Sequence, residues 1–182
     1  MISVNHRAHV LVSRCLLGDP VRYDGDANRV EDSALQRWRR EGRIIPVCPE
    51  VMGGLDTPRP PAEIEPGEGL EGDDVLAGGA RVQTASGADV TDAFVEGAHQ
   101  ALIEALEAEV QVAVLKEGSP SCGSGRIYDG TFEGEQRDGA MGVTAALLEA
   151  YDITVYSEYE LERADAHLRR IDRADRTDGS EQ

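Results

Sequence analysis

Apolar residues along this 182-residue chain follow two rhythms. Short, nearly continuous runs bounded by turn residues read as buried strands: AHVLVS (8–13), RIIPV (43–47), VQVAVL (110–115) and ITVYS (153–157). Between them, apolar residues recur at helical spacing. VEDSALQRWRREG (30–42) brings Val30, Ala34, Leu35 and Trp38 near one face, with Gly42 placed to end the helix. Residues 90–109 open on Thr91 and Asp92, either able to cap, and 139–152 fit a third helix. Alternating strand and helix predict an α/β fold with a mostly parallel, doubly wound sheet and helices on both faces.

Two stretches depart from that rhythm. Residues 52–89 are rich in proline, glycine and acid, and read as a long loop or flexible insertion, with VLAGGARVQT forming a hairpin around Gly-Gly. Residues 161–182 form a charged tail, partly helical or disordered, in which Leu161, Ala164, Leu168 and Ile171 give a thin apolar stripe. The expected organisation is one α/β domain over 1–160, followed by this tail. No internal repeat is present.

The strand pattern gives the three cysteines a meaning. Cys15 follows the first run, Cys48 the second, and Cys122 lies in LKEGSPSCGSG (115–125), the loop after the third. In an open parallel sheet the carboxyl ends of strands share one edge, where ligands bind, so the three thiols converge. A cysteine inside an apolar strand packs as a small hydrophobe; these three stand outside the runs, beside Arg14, Pro49 and Pro120. Converging thiolates repel unless a cation lies among them. Zinc with an open fourth position and an iron–sulfur cluster with one iron lacking a protein ligand both satisfy that condition. Glu50, two residues past Cys48, is a candidate general acid or base, or else a solvated loop glutamate. Ser119 and Ser121 flank Pro120 and either orient water or simply make the turn. His6, His9, His99 and His167 show no paired spacing, and none is read as a ligand.

Composition narrows the function classes. Asp and Glu number 35 against 18 Lys and Arg, a net charge of −17, and the only lysine is Lys116. Such a surface repels nucleic acid, and 4% aromatic residues leave little for base stacking. Three cysteines are no disulfide framework, no run is long enough to span a membrane, and no secretory signal is evident, so a cytoplasmic protein is expected. A codon bias toward arginine explains the missing lysines but not the acid surplus, which points to a halophile.

VSRCLLGDPVRYDG (12–25), PVCPEVMGGLDTPRPPAEI (46–64), DVTDAFVEGA (89–98), LKEGSPSCGSGRIYDGTF (115–132) and GVTAALL (142–148) resemble, in order, the thiouracil desulfidase family, long catalogued as a domain of unknown function. The resemblance implies a Rossmann-like fold and a [4Fe–4S] cluster held by Cys15, Cys48 and Cys122. It further implies an open fourth iron that takes the sulfur of a thiocarbonyl substrate, with C=S replaced by C=O using water. The acid–base pair would fall on Glu50 and a serine of SPSC, Ser119 in preference to Ser121. A small thiolated pyrimidine is the expected partner, with Arg22, Tyr23, Asp24 and Arg59 as pocket candidates that could equally serve turns and loop ion pairs. Two other readings use the same cysteines: a zinc hydrolase or deaminase, and a non-catalytic iron–sulfur or sulfur-carrier module.

The charge surplus yields a first test. Self-repulsion in the compact state fades as the Debye length shrinks to about 3 Å at 1 M salt. The melting temperature is expected to rise from dilute buffer to molar KCl; equal melting in both would remove the halophile reading.

Overall fold

The computed structural model describes residues 7–178. In chain order its elements are β1 (Val10–Ser13), α1 (Ser33–Arg40), β2 (Ile44–Val47), α2 (Pro49–Met52), β3 (Ala62–Ile64), α3 (Gly72–Leu76), β4 (Val82–Thr84), α4 (Thr91–Glu107), β5 (Val112–Leu115), β6 (Arg126–Tyr128), β7 (Gln136–Asp138), α5 (Val143–Ala150), β8 (Thr154–Ser157) and α6 (Leu161–Asp178). Four strands form a sheet in the order β2-β1-β5-β8, and every pairing is parallel. Two antiparallel pairs, β3 with β4 and β6 with β7, stand apart from it.

Successive side chains of a strand point to opposite faces, and here each face has its own core. Leu11, Val47, Ala113, Leu115 and Val155 pack with apolar residues of α3, α4 and α5. Val10, Val12, Val112, Val114 and Tyr156 pack with those of α1 and α6. Burial on both sides is why the strands read as unbroken apolar runs rather than alternating ones. The α/β sheet with helices on both faces is as expected.

The charged tail is part of this packing. Leu161, Ala164, Leu168 and Ile171 are all buried on α6. Asp165 accepts a bond from the indole N–H of fully buried Trp38 at 3.0 Å and pairs with Arg37, which ties α6 to α1. His6 and residues 179–182 lie outside the described residues.

Three local expectations are corrected. VLAGGARVQT is no hairpin: Val75 and Leu76 end α3, and β4 pairs with β3. Val75, 2% exposed, is pulled into the core. Asp74 accepts the backbone N–H of Glu71 at 2.9 Å, fixing the helix start ahead of any strand pairing. Residues 65–80 are therefore anchored on the core at α3. Neither Thr91 nor Asp92 caps α4; Val90 holds that position, and the Thr91 hydroxyl instead accepts from Val82 N and donates to Asp89. The first and third predicted helices are shorter than read, starting at Ser33 after the cap Asp32, and at Val143.

Backbone-to-backbone packing places the segment after β2. A Cβ on Gly97 of α4 would lie 1.9 Å from the Pro49 carbonyl oxygen, and one on Gly53 would lie 1.9 Å from that of Ala93. Only glycines let α2 approach α4 so closely, and α2 carries Cys48 at its start and Glu50 in its first turn. In an exposed helix Gly→Ala gains about 1 kcal/mol. Gly97→Ala is expected to have the opposite sign, costing about 1–3 kcal/mol as overpacking does. Urea unfolding checks it, and a stabilised variant would show that α2 is free to move.

Candidate active site

The sheet order places its switch point at β1 and β5, since the chain runs from β1 to β2 on one side and returns to β5 on the other. Ligands of open α/β sheets bind outside the strand ends at such a point. The buried Ser13, last residue of β1, bridges it: its hydroxyl accepts Lys116 N at 3.1 Å and faces the Cys122 sulfur at 3.8 Å.

Each cysteine is delivered by a different strand. Cys15 sits in one 3₁₀ turn, Arg14–Leu17, that ends at Gly18 with φ +103°. Its carbonyl accepts from Gly18 N and Asn28 N, so the loop after it folds back onto the turn. Cys48 occupies the N-cap position of α2 in extended geometry. Cys122 belongs to a loop built on backbone hydrogen bonds. The Glu117 carboxylate accepts the N–H groups of Gly118, Ser124, Gly125 and Arg126. The carbonyls of Pro120 and Ser121 accept Val143 N at 2.9 Å and Thr144 N at 2.8 Å. Those bonds satisfy the first N–H groups of α5, which has no side-chain cap. A Cβ on Gly142 would collide with Ser121 backbone at 2.6 Å, so glycine is required at this crossing.

The three thiols line one cavity of about 390 Å³, and none is in a disulfide. Burial, reinforced by the neighbouring Cys48, pushes Cys15 up to about 11. Burial raises Cys48, and raises Cys122 furthest, with Cys15 and Cys48 adding to it. Among the described residues no three His, Cys, Asp or Glu side chains close on a point that one metal ion could occupy.

Glu50 reaches this cavity, 16% exposed at its side chain, and is held from two sides. The nearly buried Arg59 donates Nε to Glu50 Oε2 at 2.7 Å and Nη2 to the Val21 carbonyl. The Ser119 hydroxyl lies 3.4 Å from Glu50 Oε1. That hydroxyl already accepts Ser121 N at 3.0 Å and Cys122 N at 3.1 Å, so its own proton is directed at Glu50. Ser121 points elsewhere: it is fully buried, 2.8 Å from the Thr144 hydroxyl, and does not line the cavity. Of the pocket candidates, Arg22, Tyr23 and Arg59 line it, while Asp24 pairs with Arg22 at 3.0 Å outside it. His9, His99 and His167 do not line it.

Lys116, Glu117 and Glu63 were not singled out from the sequence, yet all three line the cavity. The Lys116 ammonium bonds Glu158 at 2.7 Å and the Glu117 carbonyl. Its rarity in the chain was the available signal. Glu63, inside the short apolar strand β3, gave a weaker one: a charge where the pattern asks for burial.

A parallel α/β sheet with three free thiols, a clamped carboxylate and a directed hydroxyl around one cavity at its switch point defines an enzyme of the cofactor-binding α/β class. The chain belongs to the 2-thiouracil desulfurase family, whose model matches residues 10–160. It is 47% identical over 152 residues to the uncharacterized protein YbbK of Bacillus subtilis (strain 168), covering 84% of this chain and 97% of that protein. It is also similar to the solved structure of the [4Fe-4S]-dependent thiouracil desulfidase TudS, with a TM-score of 0.79 and 47% identity over 89% of this chain and 98% of that one. No helix among the described residues is long and apolar enough to cross a membrane.

Proposed function

We propose that this chain is a thiouracil desulfidase, replacing the C=S of a small thiolated pyrimidine by C=O with water and releasing sulfide. The observation that carries this reading is the convergence of three free cysteines from three strand ends on one cavity beside the Glu50–Ser119 pair. The donor set fits a [4Fe–4S] cluster. Two buried thiols and a half-buried one, with Cys48 raising Cys15 and both raising Cys122, are poor company as bare thiolates, and they become stable as ligands of a cation cluster. Cys15, Cys48 and Cys122 would hold the cluster, and when bound it supplies an iron without a protein ligand, a Lewis acid for soft thiocarbonyl sulfur.

The chain's own residues perform the proton chemistry. Arg59 fixes one oxygen of Glu50 and leaves the other at Ser119. Glu50 takes the proton of the water that attacks the thiocarbonyl carbon. Ser119, fixed by two backbone N–H groups, carries a hydroxyl proton between that carboxylate and the reacting centre. The exchange consumes one water, releases hydrogen sulfide and moves no electrons overall. The buried Ser121 holds the loop on α5. The thiouracil named for the similar desulfidase TudS supports a free pyrimidine as substrate, and the charge of −17 disfavours a polyanion.

Anaerobically purified protein is expected to be brown, with a broad band near the violet, and to convert 2-thiouracil to uracil. A colourless, zinc-loaded and inactive protein would end this reading. Cys15→Ser, Cys48→Ser and Cys122→Ser should each lose iron and turnover together; full iron and normal turnover in any one would remove that cysteine from the ligand set. Glu50→Gln should keep its iron and its fold while losing ~10²–10⁴-fold in turnover, the range for a general acid or base. Activity within a few-fold of the parent at equal iron would take Glu50 out of the mechanism, and joint loss of iron and activity would make it structural.

A further inference from the structure

The cavity contains a second carboxylate that the mechanism above does not use. Glu63 lies in β3, is 8% exposed and lines the cavity. Its two oxygens have different environments. Oε2 accepts the backbone N–H of Gly130 at 2.9 Å and that of Phe132 at 3.2 Å. Oε1 takes no hydrogen bond from any described residue and is not sealed away from accessible space, unlike Nε of Arg126 and of Arg137. Burial holds the Glu63 carboxyl above its usual range despite the two donors. A buried carboxylate oxygen without a protein donor costs free energy unless water or a ligand meets it.

The segment that Glu63 grips is built for close approach. Gly130 has φ +90°, and a Cβ there would lie 2.4 Å from the Ile64 carbonyl oxygen. Phe132, a bulky residue at φ +59°, also lines the cavity. A large side chain persists in the left-handed region only where its surroundings over-determine it, and here the Glu63–Phe132 N–H bond contributes to that. Glu63 thus fixes an aromatic wall with one oxygen and leaves the other, in a residue that lines the cavity, without a protein donor.

We infer that Glu63 is a specificity-determining residue that accepts a ring N–H of the substrate through Oε1. The inference rests on the proposed desulfidase reading and adds the chemical class of what is recognised: a heterocyclic thioamide whose N–H stands next to the thiocarbonyl. Thiolated uracils carry such donors, and methylation of one ring nitrogen removes the donor at that nitrogen alone. In Glu50, by contrast, each oxygen already accepts a side-chain donor, Arg59 Nε at one and the Ser119 hydroxyl at the other.

The test uses cluster-loaded parent and Glu63→Gln, with 2-thiouracil and its 1-methyl and 3-methyl derivatives as substrates. In the variant the amide oxygen still serves the Gly130 and Phe132 N–H groups, and an NH₂ donor replaces the open acceptor. A hydrogen bond to a charged group corresponds to ~10–100-fold. The variant's kcat/KM on 2-thiouracil should fall by about that factor. On the methyl derivative that lacks the recognised N–H it should stay within about three-fold, since that substrate never made the bond. A fall of equal size on all three substrates means that Glu63 only holds the loop, and no fall means that it does nothing measurable; either result overturns the inference. Calorimetric titration with uracil, which keeps the same N–H groups, is the second readout, and Kd should rise about ten-fold or more in the variant. A loaded parent that leaves 2-thiouracil untouched sinks the desulfidase reading. Glu63 is then judged on uracil alone, where equal Kd for parent and variant, or no binding by the parent, overturns it.

Discussion

Bringing three thiols together on one cavity is the constraint from which the rest of this structure follows. Burial pushes each toward its protonated form, and neighbouring thiols add to it at Cys15 and Cys122, so their convergence has to be imposed by the scaffold. Three rigid devices impose it. Ser13 ties the end of β1 to the chain leaving β5. Gly53 and Gly97 lock α2 against α4 backbone to backbone. The Cys122 loop is held by four backbone N–H groups that donate to the Glu117 carboxylate and by three from the first turn of α5 that donate to the Pro120 and Ser121 carbonyls.

The same devices aim Glu50 and Ser119. Cys48 and Glu50 share α2, so whatever fixes a thiol also fixes the carboxylate. Cys122 and Ser119 share a tight turn in which the Ser119 oxygen accepts Cys122 N. The 3.4 Å approach of Ser119 to Glu50 therefore joins the strand-end loops of β2 and β5 across the cavity. Arg59 reaches the same carboxylate from the loop before β3 and anchors itself on the Val21 carbonyl beyond Cys15. All three thiol-bearing segments are thus linked through Glu50 or its partners, which suits a site that must hold its geometry while a proton moves.

How much of this the sequence made legible follows physical range. The four sheet strands could be read because burial on both faces leaves unbroken apolar runs, and the three cysteines could be placed because a parallel sheet puts strand ends on one edge. Glu50 was within reach through its distance from Cys48 alone. The residue pattern alone left Ser119 and Ser121 open, and only the family resemblance favoured Ser119, because the choice depends on which hydroxyl faces Thr144 and which faces Glu50. The α3 helix was hidden by its glycine and acid content; it forms because Val75 has a core to enter and because Glu71 also accepts Met141 N from the segment before α5. Arg59 with Glu50, and Glu63 with Gly130 and Phe132, are pairings set by tertiary structure that no local pattern encodes.

Charge is distributed against the chain's own average. Over the whole sequence acids outnumber bases 35 to 18, yet the cavity is lined by Arg14, Arg22, Arg59 and Lys116 against Glu50, Glu63 and Glu117. Each cation there is fixed by a partner: Arg14 by Asp19, Arg22 by Asp24, Arg59 by Glu50 and Lys116 by Glu158. Lys116 lowers the cost of ionising Cys15, while Arg14 and Arg59 do so for Cys48. The acid surplus is therefore a property of the outer surface, where salt screens it within a few ångströms. Of the site's paired groups, Arg59 with Glu50 and Lys116 with Glu158 are the more buried and are screened less. A surface can thus shift toward acid without altering the electrostatics the thiols meet, provided those four ion pairs stay in place.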